Sequence, residues 1–138
     1  MEYSISTQNS KLDIEAIHDF LSNRSYWAKG RTIDEVKKSI ENYMCFGVYD
    51  MQEHMLGFAR VVTDKVVFAY LMDVFILEKY RGKGLGKLLV KHILEHPDLQ
   101  VKFKLLGTVN AHGFYKDLGF SELKDIERYL AIKDGTFC

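Results

Sequence analysis

The spacing of apolar residues changes several times along this chain, and each change predicts a different kind of element. Near the start, Tyr3 and Ile5 alternate with polar neighbours, the period of a half-buried strand over residues 2–7. Ile14, Ile17 and Leu21 then recur at helical spacing, predicting a helix over residues 12–22. Thr32 followed by Glu35 is a capping box, and Ile33, Val36 and Ile40 give the helix it opens an apolar stripe. Three strand-like runs come next: "MCFGVYD", "HMLGFARVVTD" and "KVVFAYLMDVFILE". Turn residues at 50–53 and 63–65 separate them, as an antiparallel meander requires. After "YRGKGLGKLL" the pattern returns to a helix over residues 85–96, which stops before Pro97. "VKFKLLGTV" predicts a fifth strand, residues 110–118 a short helix, and residues 120–132 two more strands. The order predicts an α/β fold with about seven strands in a mixed, mostly antiparallel sheet, and one strand–helix–strand crossover in its second half.

Composition narrows this picture. The 138 residues, with 47% hydrophobic residues and one proline, suit one compact globular domain over 1–138, without linker or repeat. The formal net charge is zero, so no overall bias toward nucleic acid or a membrane surface is expected, and any anion site must be local. Cys45 and Cys138 make no disulfide framework and no zinc spacing, and Cys45 reads as a buried strand thiol. "MEYSIST" lacks the regions of a signal peptide and no apolar run has membrane-spanning length, so a soluble cytoplasmic protein is expected.

The chemistry concentrates at residues 80–89. A strand that ends in a glycine-rich turn and opens a helix presents free N–H groups and the positive end of a helix dipole, a ready site for an anion. Gly82, Gly84 and Gly86 keep Cβ atoms away from the approach, while Lys79, Arg81, Lys83, Lys87 and Lys91 add positive charge. A solvated basic face would account for the lysines but not for the three glycines. A magnesium-binding P-loop would need Ser or Thr after Gly86-Lys87, where Leu88 stands. A dinucleotide fingerprint would need different glycine spacing and an acidic end to the next strand.

Arg81-Gly82-Lys83-Gly84-Leu85-Gly86 fits another pattern, Arg-x-x-Gly-x-Gly. With the preceding "DVFILEKY" and the later "GFYKDLGF", it resembles the GNAT superfamily of acetyl-CoA-dependent N-acetyltransferases. The resemblance covers nearly the whole chain and is weakest before Thr32. It implies the GNAT-like fold, splayed between strands four and five, with acetyl-CoA as co-substrate and no metal. Arg81, Gly82, Lys83, Gly84, Leu85, Gly86 and Lys87 would hold the pyrophosphate. The backbone of Phe75 and Ile76 would pair with the pantetheine arm, and one N–H there would face the thioester carbonyl. Asn110 and Phe114 would also contact the coenzyme, although Asn110 lies closer to Tyr115 than is usual in the family. Tyr115 would act as general acid toward the departing thiolate; otherwise it is a packed aromatic beside Phe114 and Phe120.

The acceptor amine must lose a proton, at a cost of roughly 4 kcal/mol at pH 7.4 for a lysine-like amine. Asp73 interrupts an apolar strand two residues before Phe75 and is the candidate base or acceptor-site group. Its other reading is a carboxylate fixing a neighbouring loop. His112 is a further candidate for base or acceptor contact. Tyr26 and Trp27, in "SYWAKGR", would wall the acceptor site or staple two helices, with Phe58, Arg60 and Tyr70 as further contributors. The resemblance implies a small-molecule or peptide amine as acceptor, and a homodimer is compatible with the sequence. The competing function is a CoA-binding regulatory or interaction domain of the same fold that has lost transfer activity.

Overall fold

The computed structural model describes residues 2–135 and arranges them around one five-stranded sheet, ordered β1-β2-β3-β4-β5. Strands β1 (Ser4–Ser6), β2 (Met44–Tyr49), β3 (Met55–Thr63) and β4 (Phe68–Ile76) are antiparallel neighbours. Strand β5 (Phe103–Leu106) runs parallel to β4. A parallel neighbour demands a crossover, here α3 (Leu85–Glu95). The remaining helices are α1 (Ile14–Asp19), α2 (Ile33–Asn42) and α4 (His112–Asp117).

Local chemistry sets the helix ends. The Thr32 hydroxyl accepts the Glu35 N–H at 3.1 Å, and the Glu35 carboxylate accepts the Thr32 N–H at 2.9 Å, completing the capping box. Helix α1 is capped by Asp13, which accepts from the Ala16 N–H, and continues into a π-helical turn at Phe20–Arg24. The Ser25 N–H closes that turn on the Phe20 carbonyl.

Both faces of the sheet are apolar. On one face, Phe46, Val48, Ala59, Val61 and Leu71 pack with Leu85, Leu89, Val90 and Ile93 of α3. On the other, Phe58 and Phe75 pack with Ile17, Phe20, Val36 and Ile40 from the first two helices. Layers of helix on each side of a sheet are the α/β arrangement the pattern predicts. No helix among the described residues is long and apolar enough to cross a membrane.

The expectation of about seven strands is corrected to five among the described residues. Residues 120–132 form no strand; they hold a single 3-10 turn at Ile126–Arg128 and are mostly exposed. Alternating apolar residues make a strand only where a neighbouring edge and a face to bury are available. Here Leu130 and Ile132 are fully exposed, so their pattern gains no burial within the chain.

Strand β4 is bent at one residue. Met72 pairs with Arg60 and Phe75 with Phe58, so Asp73 and Val74 together oppose Ala59. Asp73 takes a positive φ of 54°, the left-handed conformation in which such a bulge is made and which Asp tolerates better than most residues. The parallel pairing with β5 stops at Leu71↔Leu106, although β4 continues to Ile76. Beyond Leu71 the β5 side of β4 therefore has no strand partner.

Candidate active site

The glycine turn is built from two left-handed glycines. Gly82 has φ +80° and Gly84 φ +79°, and a Cβ on either would meet nothing within 4 Å, so both face open space. Gly84 is the N-cap of α3; no side chain satisfies the N–H groups of that first turn, and no acidic residue lies in it. That is the arrangement an anion needs. Lys83 and Lys87 are exposed beside it, while Leu85 is buried in the core and can offer only its backbone. Gly86 serves differently. A Cβ there would lie 3.6 Å from the Phe114 ring and 3.8 Å from Ile76, at ordinary contact distance, so this glycine lies against α4 rather than open space. Arg81 turns back: its Nε donates to the Ile76 carbonyl at 3.0 Å, and its guanidinium lies 5.8 Å from the Phe20 ring. It thereby braces the end of β4 against the turn.

Asp73 is the hub of the opposite side. Its Oδ2 accepts from Arg31 at 2.7 Å and from Arg60 Nε at 2.9 Å, and its Oδ1 accepts from the Trp27 indole at 3.0 Å. The carboxylate is 1% exposed and Arg60 is buried with it. Three of the four lone-pair positions of the carboxylate are thus filled. The cluster joins the loop between α1 and α2, β3 and the β4 bulge, and it carries one net positive charge. Tyr26, next to Trp27, uses its hydroxyl to accept the Val109 N–H at 3.0 Å, tying the same loop to the segment after β5. Its ring meets Trp27 edge-on at 5.1 Å.

A cavity of about 140 Å³ opens where β4 leaves β5. Tyr26, Trp27, Asp73, Asn110 and Tyr115 all line it, with Tyr70. Tyr115 stands on α4 between Phe114 and Phe120, at ring distances of 5.0 and 5.7 Å. Burial, reinforced by Tyr26, pushes its phenol up to about 12. His112 opens α4, is exposed and lines a different groove, beside the outer edge of β5. Phe75 stacks its ring on Phe20 at 4.1 Å and pairs with Phe58 of β3.

Arg31 is not singled out by the sequence, and Arg60 stands out there only as a further contributor to the acceptor site. The signal lies in their context: Arg60 interrupts apolar β3 as Asp73 interrupts apolar β4, and opposite charges within neighbouring buried strands must meet or be strongly disfavoured. Phe20, which stacks on Phe75 and lies under both Arg24 and Arg81, is not singled out by the sequence either.

Comparison with known proteins identifies the class. The family model for the acetyltransferase (GNAT) domain matches residues 10–130. A peptidyl-lysine N-acetyltransferase of Salmonella typhimurium is 33% identical, with 82% of this chain and 76% of that protein covered. A candidate acetyltransferase of Gibberella zeae is 28% identical, over 91% of this chain and 83% of that protein. A crystal structure of a candidate GNAT-family acetyltransferase from Xanthomonas campestris pv. campestris has 37% identity and a TM-score of 0.93, covering 97% and 94% of the two chains. The chain belongs to the GNAT acetyltransferase family. It is an acyltransferase of the N-acetyltransferase type, and the family's co-substrate is acetyl-CoA.

Proposed function

We propose that this enzyme transfers the acetyl group of acetyl-CoA directly to a primary amine while both substrates are bound. The carrying observation is that Tyr26, Trp27, Asp73 and Tyr115, from three separate segments, line one cavity at the place where β4 parts from β5. Acetyl-CoA supplies the activated thioester. The Gly82–Gly84 turn, the first turn of α3, Lys83 and Lys87 would hold its pyrophosphate, and the edge of β4 beyond Leu71, left open by β5, would take its amide arm as an added strand. Asn110, on the rim of the cavity, and Phe114, beside Gly86, would bound the same channel.

In the reaction a C–N bond forms, the C–S bond breaks, the amine gives up a proton and the sulfur gains one. Direct attack is favoured over an acyl-cysteine because Cys45, the free cysteine among the described residues, is buried and its thiol is pushed up to about 12. Tyr115 keeps its proton throughout the neutral range. Complete transfer from a phenol at about 12 to a thiolate of ordinary pKa near 8.5 is uphill by about 5 kcal/mol. Tyr115 therefore assists by donating a hydrogen bond to the sulfur as charge develops, which makes its loss costly but not absolute.

Asp73 is better placed to hold Trp27 and the bulge than to remove a proton, since Oδ1 has one free position and Oδ2 faces two guanidinium groups. The net positive charge of the cluster favours an amine that arrives neutral. The narrow, aromatic cavity suits an unbranched alkylamine, and the Salmonella relative's name makes a peptide lysine the first candidate.

The test is a panel of lysine peptides, free peptide N-termini, polyamines and aminoglycosides, with free thiol measured after addition of acetyl-CoA. Thiol release should depend on amine, and lysine peptides should lead. Tyr115→Phe should keep its melting temperature and its acetyl-CoA affinity while turnover falls about a hundredfold. Tight acetyl-CoA binding with no acetylated amine in the panel would leave the non-catalytic CoA-binding domain as the function. A normal rate in Tyr115→Phe would return that tyrosine to the packed aromatics.

A further inference from the structure

Given the role proposed above for Tyr115, on which this rests, we infer that Tyr26 is a positioning residue for acetyl transfer. By holding the Val109 N–H it ties the two sides of the β4–β5 split together and so fixes where the Tyr115 hydroxyl stands. The segment that carries Tyr115 has few other fixed points. Pairing between β4 and β5 stops at Leu71↔Leu106, so β4 does not guide the chain over residues 107–111. Val109 is 63% exposed, and Gly107 and Asn110 are exposed with it. Helix α4 is six residues long and contains no buried residue, so neither its length nor its packing holds it firmly.

Local hydrogen bonds make residues 108–115 one unit. The Thr108 hydroxyl accepts the Ala111 N–H at 3.1 Å, and the Ala111 carbonyl accepts the Tyr115 N–H at 3.1 Å. Half-buried Tyr115, Leu118 and Phe120 seat the far end of this unit on the core. The Tyr26 hydroxyl holds its near end, accepting the Val109 N–H at 3.0 Å from 83 residues away in the sequence. A shift of Val109 is therefore passed on to the tyrosine.

A tie positions a group only if its post is fixed, and the loop around Tyr26 is anchored on both sides. Ser25 is buried; its hydroxyl donates to the Leu21 carbonyl at 2.7 Å and accepts the Ala28 N–H at 3.0 Å. Trp27 meets the Tyr26 ring edge-on and donates to Asp73 at the β4 bulge. Arg31 reaches the same carboxylate at 2.7 Å. Tyr26 thus carries the position of β4 across to α4. Both phenols line the cavity between, and Tyr26 adds to the burial that raises Tyr115. Transfer is sensitive to such placement, since a displacement of about 1 Å at the reacting atoms can slow a reaction by about a hundredfold.

Tyr26→Phe keeps the ring against Trp27 and removes the oxygen that accepts from Val109. Its melting temperature and acetyl-CoA affinity should match the parent, the acceptor KM should change by less than about twofold, and kcat should fall about tenfold. In amide exchange the Val109 N–H should exchange at least about tenfold faster than in the parent, while the Ala111 N–H, held by Thr108, keeps its rate. In a Tyr115→Phe background the loss of kcat caused by Tyr26→Phe should shrink to about twofold or less, because the hydroxyl being positioned is already gone. A raised acceptor KM with normal kcat would make Tyr26 a wall of the acceptor site only. Equal losses of kcat in both backgrounds would mean that it acts independently of Tyr115. Either result overturns the proposal, as does a Val109 amide that exchanges alike in parent and variant. A normal rate in Tyr115→Phe removes the role of Tyr115 itself, whereas a slow Tyr115→Phe beside a normal Tyr26→Phe removes only the positioning.

Discussion

Asp73 carries a structural burden that its position in an apolar strand does not reveal. It is held in a left-handed conformation, and its carboxylate answers two arginines and an indole. Removing one member of a buried ionic cluster leaves the others uncompensated, at a cost of about 3–5 kcal/mol. Asn retains the tolerance for positive φ, so Asp73→Asn isolates the charge from the backbone effect. The expected result is a large drop in unfolding free energy in denaturant titrations, with turnover per folded molecule reduced much less. Arg60→Met added to Asp73→Asn should recover part of the lost stability, because one unpaired cation is then gone. An unchanged unfolding curve with lost turnover would make Asp73 the proton acceptor instead.

At the scale of elements, legibility followed how local the cause was. The capping box at Thr32, the stop before Pro97 and the glycine turn that opens α3 are each written within a few residues, and each appears in the structure. The bulge is not written that way. Strict alternation would put Leu71, Asp73 and Phe75 on one face, yet Leu71 packs under α3 while Asp73 and Phe75 face α1 and α2. One extra residue against β3 switches the face, and only pairing with β3 decides that. The last strands misled for the same reason in reverse: Leu130 and Ile132 are two apart as in a strand, but no strand edge among the described residues receives them. In the candidate site, the turn and Tyr115 were legible from their motifs, whereas the Arg31–Asp73–Arg60 cluster required three distant segments to meet.

The turn itself gives the clearest test of an element. Gly84 needs φ +79°, which a β-branched residue resists, and a valine side chain would enter the open space over the first turn of α3. Gly84→Val should therefore lose acetyl-CoA affinity by at least about tenfold, read by calorimetry. The core face of α3, built from Leu85, Leu89, Val90 and Ile93, should still fold, read by circular dichroism. Equal acetyl-CoA affinity in parent and variant would remove the turn from the binding site.

For the whole molecule, the buried titratable groups set where stability is lost. The Cys45 thiol is raised from 9.0 to about 12, and the Tyr49 and Tyr115 phenols from 10.0 to about 12, in each case first by burial. These groups are neutral when protonated, and the folded chain holds their protons more tightly than the unfolded chain does. Their contribution is therefore complete below pH 9 and drains away as the pH rises from 9 toward 12, by up to about 1.4 kcal/mol per pH unit for each group. On the acid side Glu35, Asp50, Asp64 and Glu122 are lowered mainly by hydrogen bonds, but all four carboxylates meet solvent, so little stability hangs on them. The stability profile should accordingly be lopsided, nearly flat from neutral pH to about 9 and steep above it. Denaturant midpoints measured at half-unit steps from about pH 7 to 11 would trace it. Cys45→Ala should delay the onset by about one unit, because the tyrosines begin to contribute only near pH 10. A profile still flat at about pH 11 would mean that these three groups meet water in the folded protein, and that Tyr115 does not sit in the sheltered setting its role requires.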